Sequence, residues 1–285
     1  MDFSASYSRR EVLTAGASVA ACVALAGGAL SGCSQSGSSA SSGSSKGALR
    51  VGVRSDIVGF SSYNAYNNKY YGLEIDLAEE LASRMGYSGC EYTQVTPDTR
   101  KEMLAAGSVD CIIACYSVSE SREHNFDFSP AYYEDSVVCM VEKSTLISNV
   151  SALKGCTFGA VSGANTAPQL AQYLVDIGFS DGKKLSANAD NTEASFDTWK
   201  LRQLESYQAL SDALEQGTVD AFVADGAIAS AYADADRVKL SDFSINPQHY
   251  AVATNKDSSL SQPVSDAMQA MIDDGTVARL IQKWS

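Results

Sequence analysis

Two stretches far apart in the chain repeat one pattern: Leu104-Ala105-Ala106-Gly107-Ser108-Val109-Asp110 and Leu214-Glu215-Gln216-Gly217-Thr218-Val219-Asp220. In each, the end of a helical segment meets a glycine, the natural stop for a helix. A Val-Asp pair follows and leads into an apolar strand, Cys111 to Ala114 in one copy and Ala221 to Val223 in the other. A helix that stops and returns as a buried strand is half of a β-α-β unit. Two copies predict two lobes of similar build.

The surrounding periodicity fills in each unit. Leu49 to Val53 reads as a short buried strand, and Tyr71 to Met85 as an amphipathic helix with Leu73, Leu77, Leu81 and Met85 at a spacing of four. A strand over 91–95, a helix over 99–106 and a strand over 109–114 complete a β-α-β-α-β order. That order implies a parallel sheet with helices on both faces. The cycle recurs with a strand over 157–161, helices near 167–177 and 207–215, and a strand over 219–223. The tail gives a strand and a closing helix, Val264 to Met271 and Val277 to Trp284, expected to return to the first lobe.

Residues 1–33 read as an export signal: Arg9 and Arg10 form a basic start, and an Ala- and Gly-rich apolar run follows from Val12 to Leu30. Leu30-Ser31-Gly32-Cys33 resembles the lipobox of bacterial lipoproteins, in which the cysteine is acylated, and Ser8 to Leu13 resembles a twin-arginine signal. Residues 34–47 are almost wholly Ser and Gly, a flexible tether spanning about 20 Å. Net charge is −13, which argues against nucleic acid and against adhesion to anionic lipid. Besides Cys33 the mature part carries Cys90, Cys111, Cys115, Cys139 and Cys156, with only two histidines in the chain and no metal-binding spacing. An odd cysteine count leaves at least one free thiol; small buried hydrophobes are the simplest role for most.

Six motifs, in order over 48–285, resemble the extracellular solute-binding proteins that serve polar amino-acid ABC transporters (family 3). They are Leu49 to Phe60; Gly72-Leu73-Glu74-Ile75-Asp76-Leu77; Gly107 to Asp110; Ser117-Val118-Ser119-Glu120-Ser121-Arg122; Phe128-Ser129-Pro130-Ala131-Tyr132-Tyr133; and Asp274-Gly275-Thr276 with Lys283-Trp284. The resemblance implies an α/β, two-lobed fold of the type II periplasmic-binding-protein kind. Each lobe would be a mainly parallel sheet flanked by helices, and two crossings would join the lobes, near Tyr132–Ser136 and Asn246–Tyr250. Lobe 1 would take 48–132 and 246–285, and lobe 2 would take 137–245.

The same resemblance implies a receptor without catalytic residues, cofactor or metal. It would be a monomer held outside the cytoplasm by its lipid anchor, passing a free amino acid to the permease of an ABC importer. Burying a zwitterion requires partners for both charges. Arg122 and Ser117 fall where the family holds the carboxylate, a task that suits a planar guanidinium. Asn165 and Thr166 begin a helix on the opposite lobe, where backbone N–H groups can share that anion. In that segment, Gly163-Ala164-Asn165-Thr166, the family usually carries Gly-[ST]-[ST]. Asp225 matches the ammonium acceptor, and Asp220 is the alternative, though its counterpart in Asp110 points to a repeated structural turn. Arg54 and Arg100 resemble the glutamate- and aspartate-binding branch, where two further cations would meet an acidic side chain. The alternative for Arg54 is a salt bridge to Asp56. Tyr207 reads equally as a lid over the ligand and as a core tyrosine. A hydrolase would need a nucleophile with a basic partner, and neither His124 nor His249 is suitably placed; the alternatives are a dehydratase-like cleft enzyme or a ligand-sensing receptor on the same fold, with cystine and glutamine as the other candidate ligands.

Overall fold

The computed structural model describes residues 46–285, so the export signal, Cys33 and nearly all of the Ser/Gly tether lie outside the described residues. The first sheet holds β1 (Leu49–Val53), β5 (Cys90–Gln94), β6 (Cys111–Ile112), β7 (Phe126–Phe128) and β16 (Ala253–Asn255), in the order β5-β1-β6-β16-β7. β1 runs parallel to both β5 and β6, while β16 is antiparallel to β6 and β7. Helix α1 (Leu73–Arg84) buries Leu73, Leu77 and Leu81, and its chain turns at Gly86 with φ +77°. Helices α7 (Ser261–Asp273) and α8 (Thr276–Trp284) pack in the same core as α1. Lys283 Nζ and Trp284 Nε1 each donate to Asp76 Oδ2 at 2.6 Å, which gives the Lys-Trp ending and the α1 aspartate one shared purpose.

The second sheet takes β8 (Tyr133–Glu142), β9 (Thr157–Val161), β10 (Lys184–Ala187), β11 (Glu193–Phe196), β12 (Lys200–Leu204), β13 (Ala221–Asp225), β14 (Arg237–Lys239) and β15 (Ile245–Tyr250). Its centre, β12-β9-β13, is parallel; β10, β11, β8, β14 and β15 pair antiparallel around it. Each sheet therefore has the expected parallel centre within a mixed arrangement. The interval between Ile177 and Tyr207, unassigned from sequence, supplies the hairpin β10–β11 and the parallel neighbour β12. A small meander of β2 (Asp56–Ile57), β3 (Ser61–Asn64) and β4 (Lys69–Tyr71) holds the tyrosine-rich loop, and Tyr66 is fully exposed there.

The sequence repeat proves to be a repeated turn. Gly107 and Gly217 adopt φ +68° and +67°. Asp110 Oδ2 accepts from Arg50 N–H at 2.9 Å and returns its own N–H to the Arg50 carbonyl at 2.7 Å. Asp220 does the same with Thr157, at 2.7 and 2.8 Å. Each aspartate clips a central parallel strand of its sheet, β1 in one and β9 in the other, so Asp220 is structural.

The crossings lie side by side. β8 and β15 pair antiparallel, with Tyr133 opposite Tyr250, Glu134 opposite His249 and Asp135 opposite Gln248. A two-strand ribbon joins the lobes and can bend without either lobe unfolding.

Candidate functional site

Parallel strands end at one edge, and in open α/β sheets that edge forms the binding crevice. Arg54 follows β1, the segment Ala114–Ser117 follows β6, Ser162–Thr166 follow β9, and Asp225 ends β13. Helix α2 (Arg100–Ala105) brings Arg100, and the short helix α3 (Glu120–Glu123) brings Arg122.

Three guanidiniums are buried here: Arg54, Arg100 and Arg122 are 2%, 4% and 7% exposed. Arg100 Nη1 donates to the Ala114 carbonyl at 3.0 Å, and Arg122 Nη1 to the Ser117 carbonyl at 2.7 Å. Both guanidinium carbons lie 4.3 Å from the centroid of the Tyr116 ring, whose π face offsets part of the burial of charge. Neither has an ion-pair partner among the described residues. Burial and the charge of Arg100 hold Arg122 down to about 10, and burial and the charge of Arg54 lower Arg100.

Arg54 differs. Its Nε and Nη2 bind Asp56 at 3.0 and 2.6 Å, the salt bridge weighed from sequence, and Nη1 is left buried without a partner. Burial alone would lower Arg54, but the adjoining Asp56 outweighs it and holds the guanidinium above its usual value. Its carbon lies 5.2 Å from the Tyr207 ring, so Tyr207 (3% exposed, at the start of α5, Tyr207–Glu215) borders the cluster. The rings of Phe222 and Tyr232 back it, as the core reading of that tyrosine expects.

Opposite the arginines, Asp225 Oδ2 accepts from the Tyr250 hydroxyl at 2.7 Å. Burial pushes Asp225 up to about 6; the Tyr250 bond opposes this, and Asp135 adds to it. Asp135 itself accepts from Ala227 N–H at 2.8 Å, at the start of α6 (Gly226–Ala231). Glu74, wholly buried in α1, lies close enough to Arg54 to feel its charge, and burial drives its carboxyl toward the neutral form. Arg54 Nη1, Arg100 Nε, Glu74 Oε2 and Tyr116 Oη are buried with no hydrogen-bond partner. The two guanidinium nitrogens among them mark a place where a bound polar molecule completes the bonding.

Asn165 occupies the N-cap of α4 (Thr166–Asp176) without a side-chain capping bond, and Thr166 is buried. No hydrogen bond ties either side chain to the arginines among the described residues; what they offer is the free N–H groups of the helix start. Their loop does touch the other lobe. Ser162 Oγ donates to Asp98 at 3.0 Å, and Tyr232 Oη lies 3.4 Å from Asp56. Gly163, at φ +70°, lies against the Pro97 backbone, and a Cβ there would fall 2.6 Å from the Pro97 carbonyl. Gly163→Ala is therefore expected to hold the lobes apart and weaken ligand binding at least tenfold, and its left-handed backbone should cost about 1–2 kcal/mol of stability. Calorimetry alongside small-angle scattering checks this, since only the ligand-bound radius should grow.

Sequence reasoning brought all eight candidates to this edge but missed Glu74, Tyr116 and Tyr250. Glu74 carried no sequence signal, since an acid in the first turn of a helix ordinarily faces water. Among the described residues no acid/histidine/cysteine group could hold a metal ion, and no helix is long and apolar enough to cross a membrane.

Comparison with known proteins agrees with this geometry. The chain is 27% identical to the glutamine-binding protein GlnH of Bacillus subtilis, over 82% of this chain and 79% of that one. It is 23% identical to the glutamate-binding protein GluB of Corynebacterium glutamicum, over 96% and 91%. An ancestral arginine-binding protein solved with arginine superposes with a TM-score of 0.69 at 26% identity, covering 84% of this chain and 98% of the other. A family model matches residues 49–285, and the chain accordingly belongs to the bacterial extracellular solute-binding proteins, family 3.

Proposed function

We propose that this protein captures an acidic amino acid, glutamate or aspartate, between its lobes and delivers it to the permease of an ABC importer. The observation that carries the reading is the pair of buried guanidiniums without carboxylate partners, Arg100 and Arg122. The α-carboxylate of a ligand serves one of them, and a second anionic group on the ligand would balance the other. Asp225 receives the ammonium. Asp56 already neutralises Arg54, so the unbalanced cations favour an anionic ligand over a neutral one and repel a basic one. The family to which the chain belongs binds solutes, and the reading is capture without reaction. The remainder of the proposal comes from the sequence: a monomer anchored outside the cytoplasm through Cys33, with lobes at 48–132 plus 246–285 and at 137–245.

Calorimetric titration with L-glutamate, L-aspartate, L-glutamine, L-cystine, L-histidine and L-arginine tests the reading. An acidic amino acid should bind most tightly, and Arg100→Ala should cost it at least tenfold while costing glutamine less than threefold. Tightest binding of a neutral or basic amino acid, indifferent to Arg100→Ala, would remove the acidic specificity and keep the receptor. Silence toward all six would remove the receptor as well.

A further inference from the structure

The ligand chemistry above leaves Glu74 without a role. This carboxyl is the second residue of α1, a position at which an acid ordinarily faces water, yet it is wholly buried. Its Oε1 accepts two hydrogen bonds, from Cys115 N–H at 2.5 Å and from the Tyr132 hydroxyl at 2.6 Å. Both donors are neutral. Burial of a carboxyl is unfavourable unless it organises its surroundings, and the two donors show what is organised.

Cys115 is a non-glycine residue at φ +45°, a conformation that side chains disfavour. That turn ends β6 early, where sequence periodicity ran the strand on to Ala114. It points the Ala114 carbonyl at Arg100, the Tyr116 ring at both arginines and the Ser117 carbonyl at Arg122. Tyr132 immediately precedes the first crossing strand, and its N–H bonds the Tyr250 carbonyl of the second. One oxygen thus holds the turn that carries the arginine partners and the root of the ribbon between the lobes.

We propose that Glu74 is a positioning residue, fixing the left-handed turn at Cys115, and through it Arg100 and Arg122, relative to the first crossing strand. The inference rests on the reading of those arginines as ligand-holding. It assigns Glu74 the part of a neutral-donor acceptor and not of an ion partner.

The test compares Glu74→Gln, Glu74→Ala and Tyr132→Phe in the full chain, by calorimetry with L-glutamate and by the amide proton resonance of Cys115 without ligand. A short bond to a carboxyl oxygen moves that resonance downfield. Glu74→Gln keeps an acceptor and should keep the resonance and a Kd within about threefold. Glu74→Ala should lose the downfield position and weaken glutamate at least tenfold at a temperature where it is fully folded. Tyr132→Phe should keep the resonance and weaken glutamate threefold or more. Wild-type affinity in Glu74→Ala or Tyr132→Phe, or a tenfold loss in Glu74→Gln, overturns the proposal, and the glutamine and phenylalanine variants decide it if the alanine variant does not fold. Failure of the wild type to bind glutamate would count against the acidic specificity alone, since the resonance is read without ligand.

Discussion

Arg122→Ala is expected to weaken amino-acid binding by about 10²–10³-fold. Removing one partner of a buried, hydrogen-bonded charge pair costs about 3–5 kcal/mol, and each 1.4 kcal/mol is about tenfold in Kd. Arg122→Lys should recover little of this, because an ammonium can neither grip a carboxylate with two nitrogens nor stack on Tyr116. The unliganded protein should respond in the opposite direction. Burial, with repulsion from Arg100, holds Arg122 at about 10, so the folded state binds its proton less firmly than the unfolded chain does. At neutral pH, below both values, the whole cost of keeping that charge buried is present, about 3 kcal/mol. Alanine removes this cost along with some packing. The ligand-free Tm should stay level or rise while the Tm increase produced by ligand collapses. Calorimetry paired with thermal scans reads both effects; an unchanged Kd would take Arg122 out of the site.

Asp225→Asn should lower affinity by about 10²-fold or more, on the cost of leaving a buried ammonium without its counter-charge. Its pH profile is more diagnostic. Asp225 sits at about 6 in the free protein and must be ionised to receive an ammonium. Binding below that pH therefore releases a proton, and affinity should fall about tenfold from pH 7 to pH 5, a range in which the side chain of glutamate itself remains ionised. Stability carries the reverse sign. A carboxyl whose folded value is raised stabilises the fold at acid pH, and that contribution is lost as pH rises through 6. Acid thus favours the unliganded fold and disfavours the complex. Glu74 is also pushed up by burial, and the Asp225→Asn variant separates the two groups: a flat profile there assigns the dependence to Asp225. Titrations in two buffers of different ionisation enthalpy count the protons. A flat wild-type profile would remove Asp225 as the acceptor.

Sequence made the arginine turn legible because Ser117 and Arg122 lie in one short segment, and the twin Gly-x-Val-Asp turns because each is local. Asp225 was equally accessible, at the end of an apolar strand whose partner repeat was already visible. Glu74 was not. It reads as an ordinary acid in the first turn of a helix, and its burial depends on Cys115, which arrives from a strand beyond another helix. Tyr116 hides for a similar reason: it continues the apolar run Cys111 to Cys115, and the cations that flank it come from two different helices. The hairpin of β10 and β11 is polar and mostly exposed, so no apolar alternation announces it. Arg54 lies at the strand end where sequence put it, yet its pairing with Asp56 means that position alone overstated its free charge.

The strand order of the first sheet also dictates a sequence of events during synthesis and export. β16 lies between β6 and β7, but it emerges only after the whole of the second sheet, which runs without interruption from Tyr133 to Tyr250. Until residues 253–255 arrive, β6 and β7 each present a bare edge toward the missing strand, and α1 lacks the helices α7 and α8 that share its core. The later half of the chain can thus finish first, while the half bearing all three arginines stays open until the last helix has been synthesised. Ligand capture should become available only when the carboxyl-terminal residues have docked, and chains truncated before β16 are expected to fold the second lobe and to bind no ligand.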